Sequence, residues 1–146
     1  MPGAAAIFAC TEIEGSPRNN QILTSLNDNF KVIKITSGRN SYPLRIMEVL
    51  PRLTFALLFK NYQFILAGFL GQPLAPAIKL LTRKPLILDA FVSVYDALCL
   101  DREDFKPGSL IGRAAYCLDA LSLRLADRII TDTAANADFF SELFKV

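Results

Sequence analysis

The stretch Leu125–Phe140, reading LADRIITDTAANADFF, decides how this chain is read. A helix ending in Leu-Ala-Asp runs into a short β-branched segment, an Asp-Thr turn and the opening of a new helix. This is a strand-to-helix junction, and open α/β sheets bind ligands at the carboxyl ends of their strands. Working outward, the same alternation recurs. Short apolar runs at 4–10, 31–35, 64–67, 86–91 and 128–131 predict five strands. Between them, Ile22, Leu23 and Leu26 predict a first helix, and Ile46, Leu50, Leu53 and Leu57 a second that Pro51 kinks or divides. Pro73 and Pro76 open a third helix with Ala77, Ile78 and Leu81 inward. Leu110, Ala114, Cys117, Leu118, Leu121 and Leu125 predict the inward stripe of a fourth. Asp132 or Thr133 caps a last helix with Phe140, Leu143 and Phe144 on its apolar side. A helical turn is expected around residues 95–100. Continuous apolar strands alternating with helices predict an α/β fold: a Rossmann-like open parallel sheet of five or more strands with helices on both faces.

Composition narrows the function classes. The chain has 146 residues, 52% of them hydrophobic, which suits one domain spanning 1–146. A net charge of +2 lacks the strong basic bias of a nucleic-acid binder. Cys10, Cys99 and Cys117 are scattered among apolar neighbours and there is no histidine, so buried reduced thiols are expected rather than a metal site. The start, MPGAAAIFAC, lacks a basic region before its apolar run, so it reads as a first strand rather than a secretory signal, and the expected compartment is the cytoplasm. Residues 53–70 are apolar but interrupted by Lys60, Asn61 and Gln63, which argues against a membrane span.

Right-handed crossovers place every strand-to-helix loop on one edge of the sheet. That edge gathers residues 14–18, 37–40, 68–73, 89–96 and 132–136. Gly15 either lets the first loop approach a ligand closely or shapes a turn; Ser16 lies beside it, and Arg18 is either a phosphate contact or a solvated cation. Asp89 and Asp96 either reach a cleft as hydrogen-bonding or catalytic carboxylates, or Asp89 pairs with Arg113 or Arg83. Gly68, Gln72 and Ser93 fall on the same loops. Phe69 and Tyr95 are an apolar shelf or core. Asp132, Thr133 and Asn136 cap a helix or line the cleft.

ILDAFVSVYD, the segment DREDFKPGSLIGR, and LADRIITDTAANADFF occur in that order, and together they resemble the amino-terminal half of bacterial group 1 glycosyltransferases, the retaining family-four enzymes of GT-B fold. The likeness is strongest over residues 85–146 and weak before Leu44. It implies an acceptor-side domain, with Gly15 near the donor diphosphate and with the nucleotide-sugar site on a carboxy-terminal domain to which nothing here corresponds. The expected partners are a sugar acceptor on a glycan or lipid carrier, a nucleotide sugar reached only through that second domain, and the inner membrane face by peripheral contact. No nucleic acid and no cofactor are expected. Cleft surface around Val92, Tyr95 and Phe139 is expected to be apolar and to favour a dimer. Family members often carry a sugar-contacting histidine that this chain lacks. The chain therefore reads as half an enzyme, truncated or completed by another polypeptide. A noncatalytic scaffold subunit that docks a donor-domain polypeptide is the alternative, and a flavodoxin-like or receiver-like domain is a third reading of the same alternation.

Overall fold

The computed structural model describes residues 5–146. The expected first-strand residue Ala4 lies outside them. In chain order the elements are β1 (Ala5–Ile13), α1 (Pro17–Asn27), β2 (Lys31–Ser37), α2 (Tyr42–Phe59), β3 (Phe64–Ala67), a tight turn (Gln72–Leu74) leading into α3 (Ala75–Leu81), β4 (Leu86–Asp89), α4 (Leu110–Leu125), β5 (Arg128–Ile130) and α5 (Ala134–Phe144). A π-helical segment, Asp96–Asp101, fills the long connection before α4. The strands form one parallel five-stranded sheet in the order β2-β1-β3-β4-β5. The chain is thus an α/β, Rossmann-like domain.

The order follows from which side chains each strand must bury. Ile7, Ile35, Ile65, Leu86 and Leu88 project to one face, where Val49, Leu53 and Ala56 of α2, Ile78 of α3 and Ala120 and Leu123 of α4 cover them. Phe8, Cys10 and Leu66 project to the other, against Leu23 and Leu26 of α1. The central strands β1, β3 and β4 are apolar on both sides and need cover on both, which is why their sequences run apolar without alternation. Neighbours run outward from β1 in both directions, to β2 and to β3, so the crevice outside the carboxyl ends of β1 and β3 is the switch point.

Several local features fix that edge. Between Ala9 and Ile13 the β1–β2 register slips. Arg45 of α2 clamps the slipped segment, donating from Nε to the Thr11 carbonyl at 2.8 Å and from Nη1 to the carbonyls of Arg39 and Asn40 at 3.0 and 3.2 Å. Gly68 ends β3 where no other residue fits: a Cβ there would lie 2.6 Å from Phe8 Cζ and 2.7 Å from Asn19 Oδ1. The φ of +98° at Gly15 turns the chain into α1, a conformation that glycine adopts without steric cost.

Four expectations need correcting. Pro51 lies inside a single continuous α2, neither dividing it nor ending it. On α3 the buried residues are Ala75 and Ile78, while Leu81 is exposed. The fourth helix packs through a different side: Gly112, Ala115, Asp119, Ala120, Ser122 and Leu123 are buried, whereas Leu110, Ala114, Cys117 and Leu121 face outward. Close packing against the Gln72–Leu74 turn and α3 selects small inward residues, as the Ser122 Oγ bond to the Gln72 carbonyl at 3.0 Å shows. In consequence Cys117 is an exposed thiol, and only Cys10 and Cys99 are buried.

Candidate functional site at the carboxyl edge of the sheet

The centre of the edge is an ion pair between α1 and β4. Pro17 starts α1 with its φ already helical, and Arg18 in the first turn reaches across the carboxyl end of the sheet. Its Nε donates to Asp89 Oδ2 at 2.7 Å and its Nη2 to Oδ1 at 2.6 Å, the parallel fork that guanidinium and carboxylate geometry permit. The Asp89 side chain is fully buried, and that of Arg18 keeps 22% exposure. The guanidinium also lies 4.3 Å from the centroid of the Phe91 ring. The hydrogen bond to Asp89 raises the Arg18 pKa further, against the opposing effect of burial. Asp89 therefore pairs with neither Arg113 nor Arg83, the two partners its sequence position suggested; α1 brings Arg18 closer than either. Nη1 of Arg18 carries no bond among the described residues.

The amino-terminal end of α5 closes on the same place. Thr133 Oγ1 accepts the Asn136 N–H at 3.1 Å and caps the helix. Asn136 Nδ2 donates to Asp132 Oδ1 at 2.9 Å and to the Phe91 carbonyl at 3.1 Å, tying α5 to the loop that follows β4. The bond from Asn136 holds the exposed Asp132 carboxyl below its ordinary pKa, and the positive charge of Arg18 adds to the effect. Arg18, Asp89, Phe91, Asp132 and Asn136 are thus one connected group drawn from α1, β4 and the loop after it, and α5 and the loop before it.

The first loop lies beside it. Gly15 is exposed, and Ser16 occupies the helix N-cap position without a side-chain capping bond. Asn19, buried one residue beyond Arg18, donates to Cys10 Sγ at 3.4 Å and accepts the Phe69 N–H at 3.0 Å, locking the loop after β3 onto α1. Phe69 meets Phe91 edge to face at 5.4 Å and does not pair with Tyr95, the ring its sequence position suggested. Tyr95 lies elsewhere, edge to face with Tyr116 at 5.4 Å.

Gln72 and Ser93 turn inward. Gln72 Nε2 donates to the Val92 carbonyl at 2.7 Å, and Ser93 Oγ donates to Asp119 Oδ2 at 2.7 Å while accepting the Asp96 N–H at 2.9 Å. Asp119 also accepts the Tyr95 N–H at 2.8 Å. This buried carboxylate pins the start of the π-helical segment to α4, and burial pushes its pKa up against the lowering effect of those bonds. Asp96 is half-buried at the rim. Sequence reading missed Asn19, Arg45 and Asp119. Asp119 had a signal, a lone carboxylate within an apolar helix, but neither Asn19 nor Arg45 stands out from ordinary surface polar residues.

Among the described residues no cluster of His, Cys, Asp or Glu is placed to hold a metal ion, and no helix is long and apolar enough to cross a membrane. What the edge offers chemically is a cation fixed by a buried anion, an exposed carboxylate oriented by an amide, an aromatic pair and an uncapped helix start, the set of groups that bind hydroxyls and phosphates. The sequence matches no protein-family model and no curated protein.

Proposed function

We propose that this domain is the acceptor-binding half of a retaining glycosyltransferase, which transfers a sugar from a nucleotide-sugar donor to a glycan or lipid-linked acceptor and acts together with a donor-binding domain. The observation that carries the proposal is the convergence of Arg18, Asp89, Asp132 and Asn136 at the carboxyl edge, the last three of them inside the stretch whose motifs resemble those enzymes. The strand order alone is shared with flavodoxin-like domains, so it does not select between them. A receiver-like domain needs a lysine after its last strand, and Asp132-Thr133 stands there instead.

In this reading Asp89 is a positioning residue: buried and wholly engaged by Arg18, it fixes the guanidinium through Nε and Nη2 and leaves Nη1 for a ligand. Asp132, ionised and held by Asn136, accepts hydrogen bonds from acceptor hydroxyls. The exposed Gly15, the neighbouring Ser16 and the first N–H groups of α1 meet a phosphate of the donor when the second domain presents it. Asp96, at the rim, is the second carboxylate within reach of the acceptor.

The test is equilibrium binding of a panel of oligosaccharides and short-chain polyprenyl-phosphate sugars, followed by saturation-transfer NMR. Binding by the wild type, weakened at least tenfold in Asp132→Ala and Asn136→Ala while both variants still unfold cooperatively, is the expected result. Absence of binding across the panel, or binding indifferent to both substitutions, contradicts the proposal. Turnover of a nucleotide sugar by the chain alone contradicts its dependence on a donor domain.

A further inference from the structure

We propose that Asp119 is a proton-operated latch on residues 93–101: as a neutral acid it donates to Gln72 Oε1 and holds that segment against α4, and loss of the proton releases it. The latch depends on the fold alone and not on the sugar-transfer reading. Two buried side-chain oxygens lack a hydrogen-bond partner among the described residues, Gln72 Oε1 and Asp119 Oδ1. Gln72 is 1% exposed and Asp119 0%. Their other atoms meet consecutive residues of the loop after β4: Gln72 Nε2 donates to the Val92 carbonyl and Asp119 Oδ2 accepts from Ser93 Oγ, each at 2.7 Å. Ser122, one turn beyond Asp119 on α4, donates to the Gln72 carbonyl at 3.0 Å, so the turn and the helix are tied at the same place. Turning the Gln72 amide round would set its carbonyl against that of Val92, which leaves Oε1 as the free atom. Both orphans are acceptors. A buried acceptor left unmet is costly, and one proton on Asp119 Oδ1 serves both.

The surroundings favour the neutral form. Burial raises the Asp119 pKa above its ordinary 3.8, and the charge of Asp96 on the π-helical segment adds to the effect. Among the described residues no cation is paired with Asp119. The Gln72–Leu74 turn carries no ionisable side chain, Lys79 of α3 is paired with Asp127, and Asp89 at the end of β4 is taken by Arg18. On α4 itself Arg113 is exposed and Arg124 is bonded to the Ala120 and Phe144 carbonyls, while the charged residues of α5 are exposed. Tyr95 and Tyr116 pack edge to face with each other. Ionisation therefore sets a carboxylate against the Gln72 amide oxygen with nothing to offset it. The segment beyond is the part that yields. Ser93 Oγ accepts the Asp96 N–H at 2.9 Å to start a π-helical turn, whose wide bond from the Arg102 N–H to the Ala97 carbonyl is 3.2 Å. Such turns are uncommon and recur at functional sites. When Ser93 and Tyr95 leave Asp119, water reaches the carboxylate and Asp96 moves with them. Because the extra proton belongs to the closed state, the latch is closed in acid and opens as pH rises through the folded pKa.

The test is amide hydrogen exchange of residues 93–101 in the full chain, followed by NMR from acid to neutral pH and corrected for base catalysis, with infrared spectra of the same samples. In the wild type the opening equilibrium should rise by up to about tenfold per pH unit between 3.8 and the folded pKa, then level off. In Asp119→Asn, whose amide can donate to Gln72 and accept from Ser93, opening should stay at the acid-side level throughout. A protonated-acid carbonyl band missing from that variant should be the last carboxyl band to fade as pH rises. Three results overturn the proposal: wild-type opening that does not change with pH, the same pH dependence in Asp119→Asn, which would assign it to Asp96, or no late-fading acid band, which would mean an ionised Asp119 joined to Gln72 through water. The wild-type exchange and spectra decide the matter even if the variant does not fold.

Discussion

Arg18→Met tests how the edge is built. The substitution leaves the fully buried Asp89 carboxylate with no partner, and breaking a buried pair from one side costs about 3 to 5 kcal/mol. The lower figure applies, because the 22% exposure of Arg18 gives water a route to the orphaned group. Loss of the guanidinium over the Phe91 ring adds roughly 0.5 kcal/mol. For a chain of 146 residues, at roughly 3 °C per kcal/mol, the melting temperature should fall by about 10 °C. Asp89→Leu should cost less, about 1 kcal/mol, since a freed Arg18 can swing into solvent. The double variant Arg18→Met with Asp89→Leu removes both charges and should return to within about 1 kcal/mol of wild type, leaving a coupling of roughly 3 kcal/mol in the cycle. Chemical denaturation of the four proteins at constant pH and salt measures it. A single-variant loss below about 1 kcal/mol, or a double variant equal to the sum of its parts, would refute the reasoning.

Other expectations follow from separate parts of the structure. Gly68→Ala drives a Cβ into Phe8 and Asn19 and should cost about 1 to 3 kcal/mol, measured by urea unfolding. Thiol labelling should modify Cys117 first; Cys10, buried and with its pKa pushed up to about 11, should react only on unfolding, and Cys99 should follow Cys10. Burial raises the folded pKa of Asp119 above its ordinary 3.8, so the native state holds the extra proton and stability falls as pH rises from that value through the folded pKa. Stability of Asp119→Asn relative to wild type should accordingly improve from pH 4 upward, and a pH-independent difference between the two would contradict the assignment.

What could be read from the sequence was set by the range of the interactions. Strand positions were legible because each depends on a local apolar run: residues 64–67 coincide with β3, and residues 86–91 overrun β4 only by the loop that holds Phe91. Helix faces were legible only where one side is apolar. For α1 and α5, Leu23, Leu26, Phe140 and Phe144 are buried as their spacing predicts. On α4 both sides are apolar, and the rule that large residues face the core chose the wrong one. Gly112, Ala115 and Ser122 face inward because the neighbouring chain approaches closely, and Leu110 and Leu121 are left to face outward. At the site, Arg18, Asp89, Asp132 and Asn136 were singled out individually, but their connections were not legible. Arg18 and Asp89 are 71 residues apart, and their pairing follows from the order in which β1, β3 and β4 lie in the sheet.

The most direct measurement of the central claim is a backbone amide NMR map recorded while the domain is titrated with an acceptor oligosaccharide from the binding panel. Shifts concentrated at Ser16, Arg18, Phe91, Asp132 and Asn136 are predicted, with those of Arg18 and Asn136 lost in Asp132→Ala. Shifts gathered instead in the groove of about 300 Å³ between Ile22 of α1 and Ile130 of β5, with the carboxyl edge silent, would contradict the account.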